Sequence, residues 1–276
     1  MIAPEAAARL FEAACRAELL ALKPGNVHVH AAGHGMEVAQ FEAAARAASG
    51  PLSAPGAPVG ARIERAVTAS LAVAGCNTNL GILLLCAPLL AAAEGSAERP
   101  FPARVEGVLA ALTLEDAQAV FRAITAANPG GLGSAQEDVR TPARVPLRAA
   151  MAAAADYDLI ARQYAHGFVD IFSLGMPLAA VHRGDPAQAA QAAFLAFLQT
   201  CPDSHIGRKF GAEVAEAVRN EARTICAGLE GRAGHDRTAT LLAFDADLKA
   251  RGLNPGTSAD LTVASLLADA LMAREG

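Results

Sequence analysis

Residues 66–93 read AVTASLAVAGCNTNLGILLLCAPLLAAA and contain no charged side chain. The run is long enough to cross a bilayer. Asn77, Thr78 and Asn79 stand in its middle, however, and polar groups at bilayer depth are costly. The run therefore predicts two buried helices that meet at a polar turn, rather than a membrane span.

Composition extends this interpretation to the whole chain. The 276 residues are 53% hydrophobic but only 4% aromatic, without Trp, and Ala and Leu supply most of the apolar side chains. Both residues favour helices, whereas a β-sandwich or barrel would use Val, Ile, Thr and aromatic residues. We therefore expect an all-α fold: a single compact multi-helix domain over residues 1–276, with polar loops forming a central site.

The apolar periodicity and the Pro and Gly positions predict where the helices lie. They cover residues 4–22, 37–48, 61–75, 80–94, 103–112, 115–126, 156–183, 186–200, 210–228 and 236–250. The predicted helix over residues 156–183 could be interrupted near Gly175 and Pro177. A last helix ends near Ala273, and Thr257 or Ser258 is predicted to cap its start.

Charge and cysteine usage narrow the class of protein. The formal net charge of −5 argues against a nucleic-acid partner, which usually requires a basic excess. The five cysteines are scattered and form no C-x-x-C pair, which is typical of reduced thiols. The first residues show no secretory signal. We expect a cytoplasmic protein that binds neither membrane nor nucleic acid.

Four polar breaks interrupt the apolar helices, and the first combines a lysine with histidines. Lys23 precedes a rigid Pro-Gly turn and can hold its ammonium group towards an anion, while Gly25 lets a ligand approach the backbone. His28, His30 and His34 follow and could bind a metal, although their spacing matches no zinc motif. An ordinary helix-ending loop with solvated histidines explains the pattern equally well.

The second break, residues 75–81, reads GCNTNLG between strongly apolar segments. Leaving such amide and hydroxyl groups buried and unpaired would cost about 1–3 kcal/mol each. They could cap a helix that begins near Leu80, or they could help that helix N-terminus bind a phosphate. The two interpretations are compatible.

The third and fourth breaks place acids beside turns. Residues 203–209 read DSHIGRK, which suits an acid for Mg²⁺ and basic groups for phosphate, or simply a solvated helix start. Residues 254–260 read NPGTSAD, and the helix dipole alone explains an acid in a first turn. The chain has no Walker A loop and no dinucleotide fingerprint, so classical nucleotide-binding folds are not expected.

In this order the breaks resemble the triphosphoribosyl-dephospho-CoA synthase family over nearly the whole chain. The resemblance rests on KPGNV at 23–27 with Gly33-His34, on GCNTNLG at 75–81, and on the helix start at 254–261. It implies a helical transferase that joins the ribose C1 of ATP to dephospho-CoA and releases adenine. It also implies Mg²⁺ as cofactor, and a product that is the precursor of the prosthetic group of citrate- or malonate-processing acyl carrier proteins.

The chain departs from the family pattern in three places. Asn79-Leu80 stands where many members have His-Lys, and residues 204–211 replace a Gly-rich, Arg-containing stretch. Residues 158–168 look like a divergent branch found in archaea and one-carbon-metabolising bacteria. An ATP- or phosphoribosyl-using enzyme that assembles another coenzyme, such as a one-carbon carrier, is therefore an alternative.

On the transferase hypothesis each break contributes to a nucleotide site. His34 or His28 is the predicted base, Asp260 a second catalytic group, and Asp203 with Asp260 the predicted metal ligands. Phosphates would meet Lys23, Arg208 and Lys209, and nucleotide or ribose would meet Asn77, Thr78 and Asn79. The remaining predicted substrate-binding residues are Gly25, Asn26, Gly81, His205, Asn254, Gly256 and Ser258, and further metal candidates are Glu137 and Asp138.

Two competing hypotheses belong to other classes of protein. A metal-dependent hydrolase would use His28, His30 and His34 as its ligands. A non-catalytic helical scaffold would explain the Ala/Leu pattern and every capping residue equally well. A homodimer is compatible with all three hypotheses.

Overall fold

The computed structural model describes residues 2–31, 37–128, 139, 141–229 and 234–274. Within these ranges the chain forms fourteen α-helices, one π-helical turn and no strand beyond an isolated bridge between His28 and Ala31. The expected all-α class is thus confirmed. The helices are α1 Pro4–Leu20, α2 Val38–Leu52, α3 Val59–Ala74, α4 Leu80–Ala93, α5 Phe101–Ala110, α6 Leu114–Ala127, α7 Leu147–Ala152, α8 Leu159–Ala165, α9 Met176–Ala180, α10 Pro186–Thr200, α11 Ser204–Phe210, α12 Ala212–Gly228, α13 Gly234–Ala250 and α14 Gly256–Met272.

Helix α4 lies in the centre of the largest hydrophobic cluster. All of its residues except Ala91 are buried, so it has no polar face, which is the pattern of a core helix. α3 ends at Gly75 in a left-handed conformation, and α4 begins five residues later. This confirms two helices with a polar turn between them, although only α4 is buried all round and α3 is buried on one face. No helix in the described part of the chain is long and apolar enough to cross a membrane.

Helix α14 connects the core to the rest of the molecule. It packs on α4, on α1 and on α10, and α2 and α3 complete the layer around α4. A second cluster unites α10 with α11, α12 and α13 and includes Leu22 and Leu253 from the adjoining loops. The N-terminal ends of α4 and α14 therefore lie where the two clusters meet.

The predicted helix over residues 156–183 is wrong as one element. α8 ends at Ala165, and Gly167 and Phe168 both have positive φ, 67° and 62°. A π-helical turn, Ile171–Gly175, precedes the short α9. A Cβ on Gly175 would lie 2.1 Å from Ser265 Oγ, so this turn brings its backbone directly against α14.

Three other predicted boundaries move. α2 continues through Pro51 to Leu52, and residues 147–152, which no predicted helix covered, form α7. Residues 203–209, expected to be a polar break, contain the short helix α11. By contrast, α10 covers the predicted 186–200 without change.

The predicted cap of α14 is also wrong. Thr257 and Ser258 lie inside the helix, whose N-cap position is Pro255. The carboxylate of Asp203, from the start of α11, accepts the Ser258 N–H at 2.7 Å and the Ser258 hydroxyl at 2.8 Å. The cap comes from a residue 55 positions away, which no local pattern can indicate.

Candidate active site

A cavity of about 810 Å³ opens between the N-terminal ends of α4, α11 and α14. Its volume falls within the usual range for small-molecule sites, about 300–1,000 Å³. All four polar breaks reach it. The predicted site residues that line it are Asn26, Asn77, Thr78, Asn79, Gly81, His205, Arg208, Lys209, Asn254, Gly256 and Asp260.

Asp260 is the fifth residue of α14, beyond the first turn where sequence placed it, and it faces the start of α4. A Cβ on Gly81 would lie 2.0 Å from Asp260 Oδ2 and 2.8 Å from Ile160 Cδ1, so only glycine leaves room for this carboxylate. Burial, and secondly the negative charge of Asp203, raise the pKa of Asp260 to about 8. No hydrogen bond or ion pair within the described ranges reaches this carboxylate.

Asp158 lines the cavity beside Arg208, a pairing that sequence reasoning missed. Its Oδ1 caps α8 by accepting from Ile160 N and Ala161 N, and its Oδ2 lies 2.6 Å from Arg208 Nη1. Both side chains remain partly exposed, at 20% and 22%. The residues stand 50 positions apart, so the sequence carries no local signal for the pair.

Asp203 lies behind the cavity wall rather than in it. It is 1% exposed, and its Oδ1 accepts from His205 N and Ile206 N while its Oδ2 accepts from both donors of Ser258. Burial raises the pKa of Asp203, although these hydrogen bonds and the charge of Arg208 oppose that effect. This placement departs from the prediction of a metal ligand, because four donors already satisfy the carboxylate. Ser258 is likewise buried behind the wall.

The turn before α4 presents polar groups to the cavity. Asn77 Oδ1 accepts from Leu80 N at 3.2 Å, so it caps α4 as expected. Asn79 Nδ2 donates to Ser70 Oγ at 3.2 Å and ties the turn to α3. The buried Thr78 hydroxyl has no hydrogen-bond partner in the described part of the protein. Since an unpaired buried hydroxyl is unfavourable, this group is available to a ligand.

Lys23 does not reach the cavity, which departs from its predicted contact with phosphate. Its side chain is fully buried, and the ammonium group donates to Glu18, to Asn26 Oδ1 at 2.6 Å and to the carbonyl oxygen of Val27 at 2.8 Å. An ammonium group has three protons, so all are used. Asn26 in turn donates to Asn254 Oδ1 at 2.8 Å, which connects this loop to the start of α14.

A second network fixes the same loop from α13. Asp245 accepts from Gly25 N at 2.8 Å and from Lys249 Nζ at 2.9 Å, and His28 Nε2 lies 3.2 Å from Asp245 Oδ1. Gly25 has φ 78°, and a Cβ there would lie 2.9 Å from Leu248, so glycine is required. Burial raises the pKa of Asp245, but its bonds to His28 and Lys249 outweigh this and lower it.

His28 is therefore a structural residue in this arrangement. Its Nδ1 accepts from His30 N at 3.1 Å and its Nε2 faces Asp245, so neither ring nitrogen is left for zinc or for a substrate proton. Burial lowers the pKa of His28 and favours the neutral ring. His34, Glu137 and Asp138 lie outside the described residues.

Three carboxylates line the cavity in the described ranges, and only one is unpaired. Glu18 pairs with Lys23, Asp158 pairs with Arg208, and Asp260 has no partner. The described residues contain no group of three His, Cys, Asp or Glu side chains that could enclose a metal ion. Mg²⁺ commonly uses one or two carboxylates together with substrate phosphates and water, an arrangement that Asp260 fits.

Comparison with known proteins identifies the family and the fold of the chain. The family model for CitG, ATP:dephospho-CoA triphosphoribosyl transferase, matches residues 4–276. No curated protein matches the chain significantly. A crystal structure from Archaeoglobus fulgidus, provisionally described as a triphosphoribosyl-dephospho-CoA synthase, has the same fold: 24% identity, TM-score 0.67, with 84% of this chain and 97% of that chain covered. The chain belongs to the CitG family of ATP:dephospho-CoA triphosphoribosyl transferases.

Proposed function

We propose that this cavity is where the chain transfers the triphosphoribosyl group of ATP to dephospho-CoA, the reaction of its family. The observation that carries the proposal is the unpaired Asp260 carboxylate at the point where the polar breaks converge. Titratable groups in a cavity that lack a partner and have a shifted pKa are typical of functional sites. We further propose that residues 1–276 act as one unit, since helices from both ends of the chain build the cavity wall.

The reaction defines what the cavity has to provide. A hydroxyl oxygen of dephospho-CoA forms a bond to the ribose C1 of ATP, and the bond from C1 to adenine breaks. The electron pair of that bond leaves with adenine, which gains a proton, while the attacking hydroxyl loses one. Positive charge develops on the ribose, so a nearby carboxylate and correct orientation both lower the barrier.

Asp260 is our candidate for the reacting centre. Its pKa of about 8 keeps the carboxyl group mainly protonated at neutral pH, but the deprotonated fraction is a stronger base than an ordinary carboxylate, which suits a group that accepts a proton. The small Gly81 beside it leaves room for this carboxylate at the start of α4. Thr78, whose hydroxyl has no partner among the described residues, is our candidate for a hydrogen bond to the substrate.

Arg208 and Lys209 are our candidates for phosphate binding. Both line the cavity from α11, and Lys209 is exposed there. The guanidinium of Arg208 pairs with Asp158, so a triphosphate would share it with, or take it from, that carboxylate. Asp203 would act as a positioning residue, because its four hydrogen bonds hold α11 and α14, and hence Arg208 and Asp260, in fixed relation.

Mg²⁺ is compatible with these residues as an ion that accompanies the triphosphate. Two basic side chains, Arg208 and Lys209, face three carboxylates among the described lining residues, so a highly anionic substrate needs further positive charge. Asp260 is the side chain that would hold the ion, which would neutralise phosphate charge. This role competes with that of proton acceptor, and the dependence of the rate on Mg²⁺ concentration distinguishes the two.

The direct experiment is to incubate the purified protein with ATP, Mg²⁺ and dephospho-CoA and to separate the products by chromatography. We expect free adenine together with a coenzyme product heavier by one triphosphoribosyl group. Omission of dephospho-CoA is the control for ATP hydrolysis. Wild-type protein that binds ATP but releases no adenine with dephospho-CoA would refute this acceptor and favour assembly of another coenzyme.

A further inference from the structure

The cavity has two chemically different ends. α11 and the start of α14 supply the polar end, with His205, Arg208 and Asp260. α6 and α7 supply an apolar end, with Phe121, Ile124 and Met151. A nucleotide has the same division, because its phosphates are charged and its base is a flat apolar ring with polar edges.

Tyr157 lies where these two ends meet. It follows α7, lines the cavity and is 57% exposed, so it stands at the open edge. In the described ranges its ring has no aromatic partner and its hydroxyl no hydrogen bond. The only other tyrosine of the chain, Tyr164, is fully buried and donates to the Leu84 carbonyl oxygen at 2.6 Å.

The backbone beside Tyr157 is fixed. The next residue, Asp158, caps α8 through Oδ1 and contacts Arg208 through Oδ2. Tyr157 N also donates to the Ala154 carbonyl oxygen at 3.2 Å. The backbone that carries this exposed ring is therefore held by hydrogen bonds, and the ring itself is available for a flat partner. Isolated exposed aromatic residues are common, but those that also line a cavity at such a junction are not explained by packing.

We propose that Tyr157 is the stacking platform for an adenine ring that enters the cavity. The proposal rests on the proposed function, because both substrates, ATP and dephospho-CoA, carry adenine. Stacking does not need hydrogen bonds to the edges of the base, so it holds a purine while leaving its nitrogens free to take a proton. Tyr157 would thus determine affinity for an adenine-bearing substrate without taking part in bond making.

The test compares Tyr157→Ala with Tyr157→Phe in the adenine-release assay. Tyr157→Ala should raise the KM of one substrate roughly 5- to 150-fold, the factor that corresponds to about 1–3 kcal/mol for one base–aromatic stack. Its kcat should change much less. Tyr157→Phe keeps the ring and should retain the wild-type KM. The substrate whose KM rises identifies which adenine is stacked.

A binding measurement gives an independent readout, since the chain has no Trp and Tyr157 is its one exposed tyrosine. ATP alone and dephospho-CoA alone are titrated while tyrosine fluorescence is recorded, with Tyr157→Phe as the background for adenine absorbance. Quenching in the wild type but not in Tyr157→Phe is expected for at least one of the two. Unchanged KM values in Tyr157→Ala, with normal turnover by the wild type, would overturn this inference alone. Absence of product from the wild type would refute the proposed function. The fluorescence titration would then still show whether Tyr157 contacts an adenine ring, because it does not depend on turnover.

Discussion

Two regions of the molecule contain charged or polar groups: the loop that carries Lys23, and the cavity face of α4 and α14. They differ in whether the protein supplies hydrogen-bond partners for these groups. In the loop, Lys23 and His28 have a protein partner for every donor or acceptor that they direct inward. On the cavity face, the Thr78 hydroxyl and the Asp260 carboxylate have none in the described ranges. The two regions are joined by the bond between Asn26 and Asn254.

This difference separates structural polar residues from candidate functional ones. A buried charge is tolerated when hydrogen bonds and an opposite charge replace its water, as they do for Lys23. A partly exposed carboxyl group in a cavity wall that has no such partners and a raised pKa, as Asp260 does, indicates instead a site that a ligand completes. The sequence motifs contain both kinds of residue, and only the three-dimensional partners tell them apart.

The largest effect is expected for Asp260→Asn. If this carboxylate acts at the reacting centre, kcat should fall about 10²- to 10⁴-fold, the usual contribution of a positioned acid or base. The fold should remain, because no partner in the described residues loses a hydrogen bond. Adenine release measures the rate, and circular dichroism checks the fold.

The matched control is Asp269→Asn, the same change near the other end of α14. Asp269 pairs with the exposed Arg183, so turnover should be unchanged. A higher Mg²⁺ requirement in Asp260→Asn would identify Asp260 as a metal ligand, whereas an unaltered midpoint with low kcat indicates a proton acceptor. Full activity in Asp260→Asn would show that the unpaired Asp260 is not a functional group, and the contrast between the cavity face and the Lys23 loop would then not separate functional from structural residues.

Gly81→Ala should give the next largest effect. The new Cβ would lie 2.0 Å from Asp260 Oδ2 and must displace the carboxylate. A displacement of about 1 Å can cost on the order of 10²-fold in rate, so we expect a loss of about 10- to 100-fold. Gly50→Ala is the control, since a Cβ there meets no atom within 4 Å. Equal rates for both variants would show that the position of Asp260 is not critical.

Asp203→Asn should affect stability more than chemistry. The amide keeps one acceptor but turns an NH₂ group towards donors, which should lower the free energy of unfolding by about 1–3 kcal/mol. The rate should fall by less than about tenfold, since α11 and α14 only loosen. Chemical denaturation and the Mg²⁺ dependence are the measurements. A shifted Mg²⁺ midpoint without loss of stability would restore Asp203 as a metal ligand.

Lys23→Met and Lys209→Met test the comparison with one substitution at two sites. Lys23→Met leaves Glu18 buried without its partner and should destabilise the fold by about 3–5 kcal/mol, while the KM for ATP changes little. Lys209→Met, at an exposed lining position, should raise that KM and leave stability unchanged. If Lys23→Met instead raised the KM without destabilising the protein, Lys23 would be a phosphate ligand.

The fold was predictable where periodicity and end signals agree. α10 begins at Pro186 after the capping Asp185, and its predicted bounds are the observed ones. The interruption expected near Gly175 and Pro177 falls at the junction of the π-helical turn and α9, but the break at residues 166–168 was not located, because the positive φ of Phe168 depends on packing rather than on a residue that favours it. α11 was read as a break because polar residues fill a helix of only seven residues.

The candidate site was predictable as a set of motifs but not as a set of roles. Gly25 was expected to let a ligand approach the backbone and instead lies against Leu248, whereas the close approach of Gly81 to Asp260 was not predicted. Asp203 could not be distinguished from Asp260 in sequence, since both are acids at a helix start. The partner of Asp203 on α14, Ser258, lies 55 positions away and decides their difference, and one sequence carries no record of such a pair.

The smallest effect concerns the pH dependence of stability, measured without metal or substrate. In the native protein the carboxyl group of Asp260 keeps its proton up to a pH of about 8, whereas in the unfolded chain it loses the proton near its usual pKa of about 3.9. Between these values the native state binds more protons, so this group lowers the free energy of unfolding as the pH rises. The slope is at most about 1.4 kcal/mol per pH unit.

Asp260→Asn lacks this titration, so its stability relative to the wild type should increase from pH 5 to pH 8. Denaturant unfolding at several pH values measures both proteins, and the other titrating groups cancel in the difference. Asp269→Asn, whose target is paired with Arg183, should show no such rise. A constant difference between Asp260→Asn and the wild type would mean that Asp260 is already ionised at pH 5. Its carboxylate would then be as well compensated as the charged groups of the Lys23 loop, and its burial would no longer indicate a ligand.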